Sequence, residues 1–120
     1  ERLFVLIEKN IENKKWDEAL KNSQHLVKLI PRSFKAQLYL ANINFTVGRY
    51  DAAIDGYKKA LELKPSNIAT MTNLGLVYFE SKKYNLSKDT FENLLKVDSK
   101  NEVAKRTLVK ISNILYNFKQ

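Results

Sequence analysis

Few side chains in this sequence could support catalysis, and their spacing fits no recognised catalytic pattern. His25 is the only histidine, and no cysteine is present. No acidic residue lies three or four positions from His25, so it has neither a partner ligand for a metal nor an orienting carboxylate on its own helix. Glu8 and Glu12 form an acidic pair at helical spacing, but no argument places a nucleophile opposite them. We therefore predict that the chain is not an enzyme and uses no cofactor or metal.

The composition favours an all-helical domain. The sequence has 120 residues, of which only three are glycine and two are proline, so little material is available for strand turns. No apolar run approaches the roughly 18 residues needed to span a bilayer. Because the chain begins at Glu1 rather than Met, we expect a processed fragment, and its length suits either one domain or one segment of a larger protein. Cytoplasmic location is the default expectation, with the periplasm as an open alternative, since the lack of cysteine does not distinguish them.

The positive charge raises nucleic acid as an alternative partner. The chain carries 21 basic and 13 acidic residues, a formal net charge of +8, and an isoelectric point near 9.6. This excess is spread along the chain rather than gathered in a basic arm. An RNA-binding surface would combine aromatic side chains with arginines on one face, yet arginine occurs only at positions 2, 32, 49 and 106. We therefore rank nucleic-acid binding below protein binding.

The sequence repeats itself with a period of 34 residues. Residues 34–65 form the clearest unit, which reads as two amphipathic helices joined by a tight turn at Gly48. Lys14 and Lys82 occupy the equivalent turn positions, so those turns must close without the conformational freedom of glycine. Such a period predicts a stacked array of helical hairpins. Other residues on this period are Trp16, Tyr50 and Tyr84, and the predicted helix N-caps Ser33, Asn67 and Asn101.

A last helix, from about residue 102 to 118, follows the third hairpin and is predicted to cap the array. Its apolar stripe consists of Ala104, Leu108, Ile111, Leu115 and Phe118. Stepping around the helix at about 100° per residue places Val109 and Tyr116 together, away from that stripe. This pair is a possible second contact surface, for self-association or for a neighbouring domain. The alternative is that two exposed apolar residues have no role, since such residues are common on surfaces.

The repeat resembles the tetratricopeptide repeat family, whose pattern is W-x2-L-G-x2-Y, then A-x3-F and a closing P. Met71, Leu74, Gly75 and Tyr78 fill the first-helix positions of the third repeat. The first repeat departs from the pattern, with Ile7 at the small position and Ser23 at the aromatic one; the second departs at Gln37 and Asn44.

The resemblance implies an all-α fold: a right-handed superhelical array (α-solenoid) of three antiparallel helix pairs and a capping helix. We expect one domain over residues 1–120, with repeats at about 1–33, 34–67 and 68–101 and a capping helix at 102–118.

The resemblance also implies a protein–protein interaction module that holds a peptide or helix of a partner in a concave groove. Such a module acts as a scaffold or adaptor, and a docking domain of a larger enzyme is an alternative. Projecting the family's groove positions onto this chain predicts the following partner-binding residues: Phe4, Glu8, Lys35, Leu38, Tyr39, Asn42, Phe45, Thr72, Asn73, Leu76, Phe79, Arg106 and Lys110.

One branch of the family clamps the C-terminal carboxylate of heat-shock chaperones with two asparagines and several basic residues. Asn42 and Asn73 match those asparagines, but Leu38, Val103 and Thr107 stand at the basic positions. A carboxylate gains little without cationic partners, so we predict that this chain is not a chaperone clamp. The two asparagines could still bind a peptide backbone, or they could be ordinary polar residues on an exposed helix face.

Overall fold

The structure is a computed structural model, which describes residues 2–119. That part of the chain folds into seven α-helices and contains no strand. Six of the helices form three consecutive pairs, and the seventh follows them, which confirms the predicted all-α arrangement. The helices are α1 (Arg2–Glu12), α2 (Trp16–Leu29), α3 (Phe34–Thr46), α4 (Tyr50–Leu63), α5 (Ile68–Glu80), α6 (Tyr84–Val97) and α7 (Glu102–Phe118).

The three predicted N-caps are confirmed in geometry as well as in position. Ser33, Asn67 and Asn101 have extended backbones, and the side chain of each accepts a hydrogen bond from the amide three residues later, at 3.1, 2.9 and 2.9 Å. These bonds satisfy donors that a helix cannot satisfy internally. The second pair, the third pair and α7 therefore each begin at a position set by one local side chain.

The turns inside the three pairs share one backbone conformation. Gly48 has a φ of 82°, and Lys14 and Lys82, one period away on either side, have φ of 56° and 63°. The next amide closes each turn on the preceding helix, as in the bond of 2.8 Å from Arg49 to the carbonyl of Asn44. Two lysines thus hold a left-handed conformation that glycine adopts without steric cost.

The chain divides into two compact units: Glu1–Pro65, here unit 1, and Ser66–Gln120, here unit 2. Unit 1 contains α1 to α4. Its core includes a cluster of buried residues contributed by α1, α2 and α3: Ile7, Ala19, Leu26, Ala36 and Ile43. The prediction of one domain over the whole chain remains a prediction.

Unit 2 contains α5, α6 and α7, and α7 packs against both other helices. Ala104, Thr107 and Ile111 are the buried residues of α7. Phe118, which we assigned to the buried stripe, is instead 77% exposed. The physical reason is length, since α7 has 17 residues whereas α5 and α6 have 13 and 14, so its last turn has less helix to pack against.

Candidate partner-binding surface

Four of the predicted binding residues lie together on α1 and α3 of unit 1. The rings of Phe4 and Tyr39 meet edge to face, with centroids 5.8 Å apart. The ammonium of Lys35 lies 4.6 Å from the centroid of the Phe4 ring and 5.6 Å from that of Tyr39. The phenol of Tyr39 donates a hydrogen bond of 2.6 Å to Glu8. Aromatic faces, a cation and a carboxylate therefore share one surface.

The bond to Glu8 changes the acidity of Tyr39. Donation to the Glu8 carboxylate is the main cause that raises the pKa of the Tyr39 phenol to about 12; partial burial and the negative charge of Glu8 add to it. The phenol thus stays protonated throughout the physiological range and remains a donor to Glu8. This bond joins residues 31 positions apart and fixes the orientation of both side chains.

Next to this surface is a pocket of about 200 Å³. It will be called the Trp16 pocket, and its lining residues are Ile11, Trp16, Tyr39, Asn42, Ile43 and Thr46. The two polar residues of this lining bond within unit 1. Thr46 donates to the carbonyl of Asn42 at 2.9 Å, and the side-chain oxygen of Asn42 accepts from the phenol of Tyr57. The pocket therefore presents a mainly apolar interior with a satisfied polar edge.

Ile11 and Thr46 also fall on the groove face projected from the family pattern, so sequence reasoning missed the other two residues of this site. Trp16 was interpreted only as the start of the second helix, where it marks the repeat, and Ile43 was not considered. Trp16 is half-buried and is the only tryptophan of the chain. The one available signal was its type, since tryptophan buries a large area and is enriched at interfaces.

The remaining predicted residues of α3 are half-buried and take part in packing. The Phe45 ring meets Tyr50 and Tyr57 edge to face, at 5.9 and 6.5 Å between centroids. Leu38 is also half-buried. Phe45 therefore stiffens the α3–α4 pair and offers a partner only part of its surface.

Unit 2 carries its own set of predicted residues. Asn73, Leu76 and Phe79 are half-buried on α5, and Phe79 packs edge to face on Tyr84 at 5.6 Å, as Phe45 does on Tyr50 one period earlier. Thr72 is half-buried, and its hydroxyl donates to the carbonyl of Ile68 within the same helix, at 2.8 Å.

The basic residues of α7 and its predicted second surface are all exposed. The Arg106 and Lys110 side chains are open to solvent, with the arginine Nε 3.4 Å from the carbonyl of Glu102. Val109 and Tyr116 are 61% and 64% exposed. Their contact role remains a prediction.

Two classes of site receive no support from the described residues. Residues 2–119 contain no group of three or more histidine, cysteine or acidic side chains that could hold a metal ion. None of the helices described is both long and apolar enough to cross a membrane.

Comparison with known proteins identifies the repeats. Residues 45–82 match a model described as TPR repeat, and residues 68–101 match a model described as tetratricopeptide repeat. Among sequences, the chain is 30% identical over 101 residues to the uncharacterized protein ycf37 of Guillardia theta, which covers 78% of this chain and 56% of that protein. It is 23% identical over 105 residues to anaphase-promoting complex subunit 3 of Schizosaccharomyces pombe, which covers 88% of this chain and 16% of that protein. The chain thus spans only part of each of these relatives.

Solved structures show the same fold over nearly the whole chain. The first TPR domain of Spaghetti (RPAP3), bound to the HSP90 peptide SRMEEVD, superposes with a TM-score of 0.87, covering 95% of this chain and 90% of that one at 23% identity. The second TPR domain of human RPAP3, in complex with the HSP70 peptide SGPTIEEVD, gives 0.83, covering 92% of each chain at 18% identity. The repeat models thus identify tetratricopeptide repeats within residues 45–101, and these neighbours share the fold of the seven helices.

Proposed function

We propose that this chain is a protein–protein interaction module whose first helices, α1 and α3 in unit 1, bind a segment of a partner protein. The observation that carries this proposal is the Trp16 pocket, which lies on the helix faces that the family resemblance assigned to binding. Concave sites with mostly apolar walls and a few placed polar groups are the usual form of a ligand site.

The surroundings of the pocket support this role. Phe4, Lys35, Tyr39 and Glu8 interlock through ring, cation and hydrogen-bond contacts, so their side chains are ordered before any partner arrives. A surface that is ordered in advance loses less conformational entropy on binding. Two similar domains are described in complex with short peptides, which is consistent with a peptide as the form of the ligand. In this proposal the chain acts as a scaffold or adaptor without catalysing a reaction.

The test is to select dodecapeptides from a displayed random library against the intact chain and to map binding by amide chemical shifts. We expect saturable binding of selected peptides, with shifts concentrated in α1 and α3. Because Trp16 is the only tryptophan, its fluorescence reports binding at the same site. Shifts confined to α2, α4 and α6 would contradict the proposal, and so would failure of any peptide to bind. Tight binding of a short RNA at physiological salt would favour the nucleic-acid alternative.

A further inference from the structure

The walls of the Trp16 pocket suit an apolar side chain. Ile11, Trp16, Tyr39 and Ile43 supply hydrocarbon and aromatic surface, and the polar atoms of Asn42 and Thr46 described above already bond within unit 1. A charged or carboxylate group placed in the pocket would lose its hydration without gaining a cation, because none of the six lining residues is basic. The chemistry of the walls therefore selects against the acidic terminus that the chaperone-binding branch recognises.

The size of the pocket points to one side chain. Its volume of about 200 Å³ is below the roughly 300 Å³ at which pockets for whole small ligands begin. A leucine, isoleucine, methionine or phenylalanine side chain is the kind of group that a pocket of this size accepts. An extended peptide could insert such a side chain while its backbone runs over the surface.

Charge beside the pocket adds a second element of recognition. Glu8 and Glu12 are exposed on α1 and lie three residues before and one residue after Ile11, which lines the pocket. They are four positions apart and so lie on one side of the helix. The Glu8 carboxylate is held by Tyr39, and a carboxylate accepts further hydrogen bonds beyond that one. This pair of residues, called here the α1 carboxylates, complements a basic side chain.

Lys35 is the cation that contacts the aromatic rings beside the pocket. Its ammonium lies against the rings of Phe4 and Tyr39. On α3, Lys35 is one helical turn before Tyr39, which lines the pocket. The α1 carboxylates and Lys35 thus flank Tyr39 from two helices. A partner segment with a basic residue on the α1 side therefore matches the local charge.

We propose that the Trp16 pocket takes one large apolar side chain of an extended partner segment, and that the α1 carboxylates pair with a lysine or arginine close to it. This inference rests on the proposed function and deepens it by stating the class of ligand. It sets this chain apart from the similar domains whose bound peptides end in the acidic sequence EEVD.

The first test is the sequence of the selected dodecapeptides. We expect enrichment of a large apolar residue with lysine or arginine within a few positions of it. Replacing the apolar residue of a selected peptide by alanine is expected to weaken binding at least tenfold, measured by Trp16 fluorescence. Replacing its basic residue by glutamate is expected to weaken binding several-fold. The difference in affinity between the original and the substituted peptide should shrink at high salt.

Two matched variants of the chain test whether the apolar side chain of the peptide binds in the Trp16 pocket. Thr46→Trp fills the mouth of the pocket from an exposed position, and Thr90→Trp makes the same change at a half-buried residue of α6. The hydroxyls of both threonines donate to the carbonyl four residues earlier in their own helix, so the two changes remove equivalent bonds. Thr46→Trp adds a second tryptophan, so binding is measured here by calorimetry. We expect a loss of tenfold or more for Thr46→Trp and almost none for Thr90→Trp.

Glu8→Gln with Glu12→Gln tests the charge element separately. This double variant is expected to lose the preference for lysine or arginine while it keeps the preference for the apolar residue. If selected peptides bind but are insensitive to Thr46→Trp, or if SRMEEVD binds as well as they do, this inference is wrong and the proposed function stands. If no peptide binds at all, both are overturned.

Discussion

The hairpins α1–α2 and α5–α6 have the same turn conformation but the opposite distribution of side-chain size. In α5–α6 the small residue is on the first helix: a Cβ atom at Gly75 would lie 2.6 to 2.8 Å from the ring of Phe91. Two repeats earlier, the equivalent positions hold Ile7 and Ser23, both fully buried. The two departures of the first repeat from the family pattern thus balance each other, because the space left by a serine is available to an isoleucine.

The middle hairpin resembles the third, with a small residue on its first helix and a large one on its second. Ala41 and Tyr57 stand at those two positions, and both are fully buried. The first and middle hairpins differ in hydrogen bonding at the second of these positions. The hydroxyl of Tyr57 donates to the side-chain oxygen of Asn42, whereas the hydroxyl of Ser23 has no hydrogen-bond partner.

The largest expected effect comes from breaking the pair in unit 2. Gly75→Ile places a branched side chain against a ring that is itself fully buried, and we expect a loss of about 3 kcal/mol or more in the free energy of unfolding. Denaturant unfolding followed by circular dichroism measures this loss. A change below about 1 kcal/mol would show that the contact relaxes easily.

The matched control transplants the first-repeat pair into the third repeat. Phe91→Ser alone removes a buried ring and should cost roughly 3–5 kcal/mol. The double variant Gly75→Ile with Phe91→Ser is expected to lose less than the two single losses added together, with a coupling of about 1–3 kcal/mol. Strict additivity would contradict the interpretation that the two positions share one volume.

A second comparison concerns a buried asparagine at the same position of two hairpins. Asn10 accepts a hydrogen bond of 2.9 Å from Asn22, whereas the side-chain oxygen of buried Asn44 has no partner. An unsatisfied buried polar group costs about 1–3 kcal/mol, so Asn44→Leu should stabilise the chain by about 1 kcal/mol. Asn10→Leu should destabilise it by a similar amount, because it leaves Asn22 unpaired. Thermal melting of both variants measures these changes. If the two melting temperatures shift equally and in the same direction, the two asparagines do not differ as proposed.

A smaller effect is expected at the turns. Lys82→Gly and Lys14→Gly relieve the left-handed conformation and should each stabilise by about 0.5 kcal/mol, since part of the relief is offset by the greater freedom of glycine when unfolded. Gly48→Ala should cost about 1 kcal/mol for the converse reason. Denaturant unfolding measures these effects as shifts of the transition midpoint at an unchanged dependence of the free energy of unfolding on denaturant. Destabilisation by either lysine-to-glycine change would mean that the lysine side chain makes a contact that outweighs the strain.

The smallest expected effect is the pH dependence of the stability that the Tyr39–Glu8 hydrogen bond contributes to unit 1. The phenol of Tyr39 has a pKa of about 12 in the folded chain, above the ordinary value of 10. Between these values the unfolded chain ionises Tyr39 and the folded chain does not. The stability due to this bond is therefore complete below pH 10 and lost as pH rises through 12. Tyr39→Phe should flatten the fall of stability across that range.

The control for this prediction is Glu8→Gln, which keeps an acceptor and removes the charge. It should lower the pKa of the Tyr39 phenol, detected as earlier phenolate absorbance for one of the six tyrosines. An unchanged titration would show that Glu8 does not control this phenol.

Several parts of the fold and site were predictable because each depends on few residues. The three N-caps were predicted correctly, since a cap is one side chain bonding three residues ahead. The period also placed the turns at Lys14 and Lys82 correctly, but the left-handed conformation of these lysines is seen only in the structure. The binding face was predicted only through the family resemblance, and its role is still a proposal. The exposure of Phe118 was not predicted, because periodicity describes the face of a helix and not the length of its neighbours.

The sequence by itself determined the 34-residue period, and with it the type, ends and pairing of the helices, since these follow from local hydrogen bonds and apolar spacing. Only the tertiary structure decided which side chains meet. Tyr39 reaches Glu8 across 31 residues, and Trp16 lines a pocket with residues of α3. Such contacts depend on how side chains of different sizes fit between packed helices, and no spacing along the chain specifies that fit.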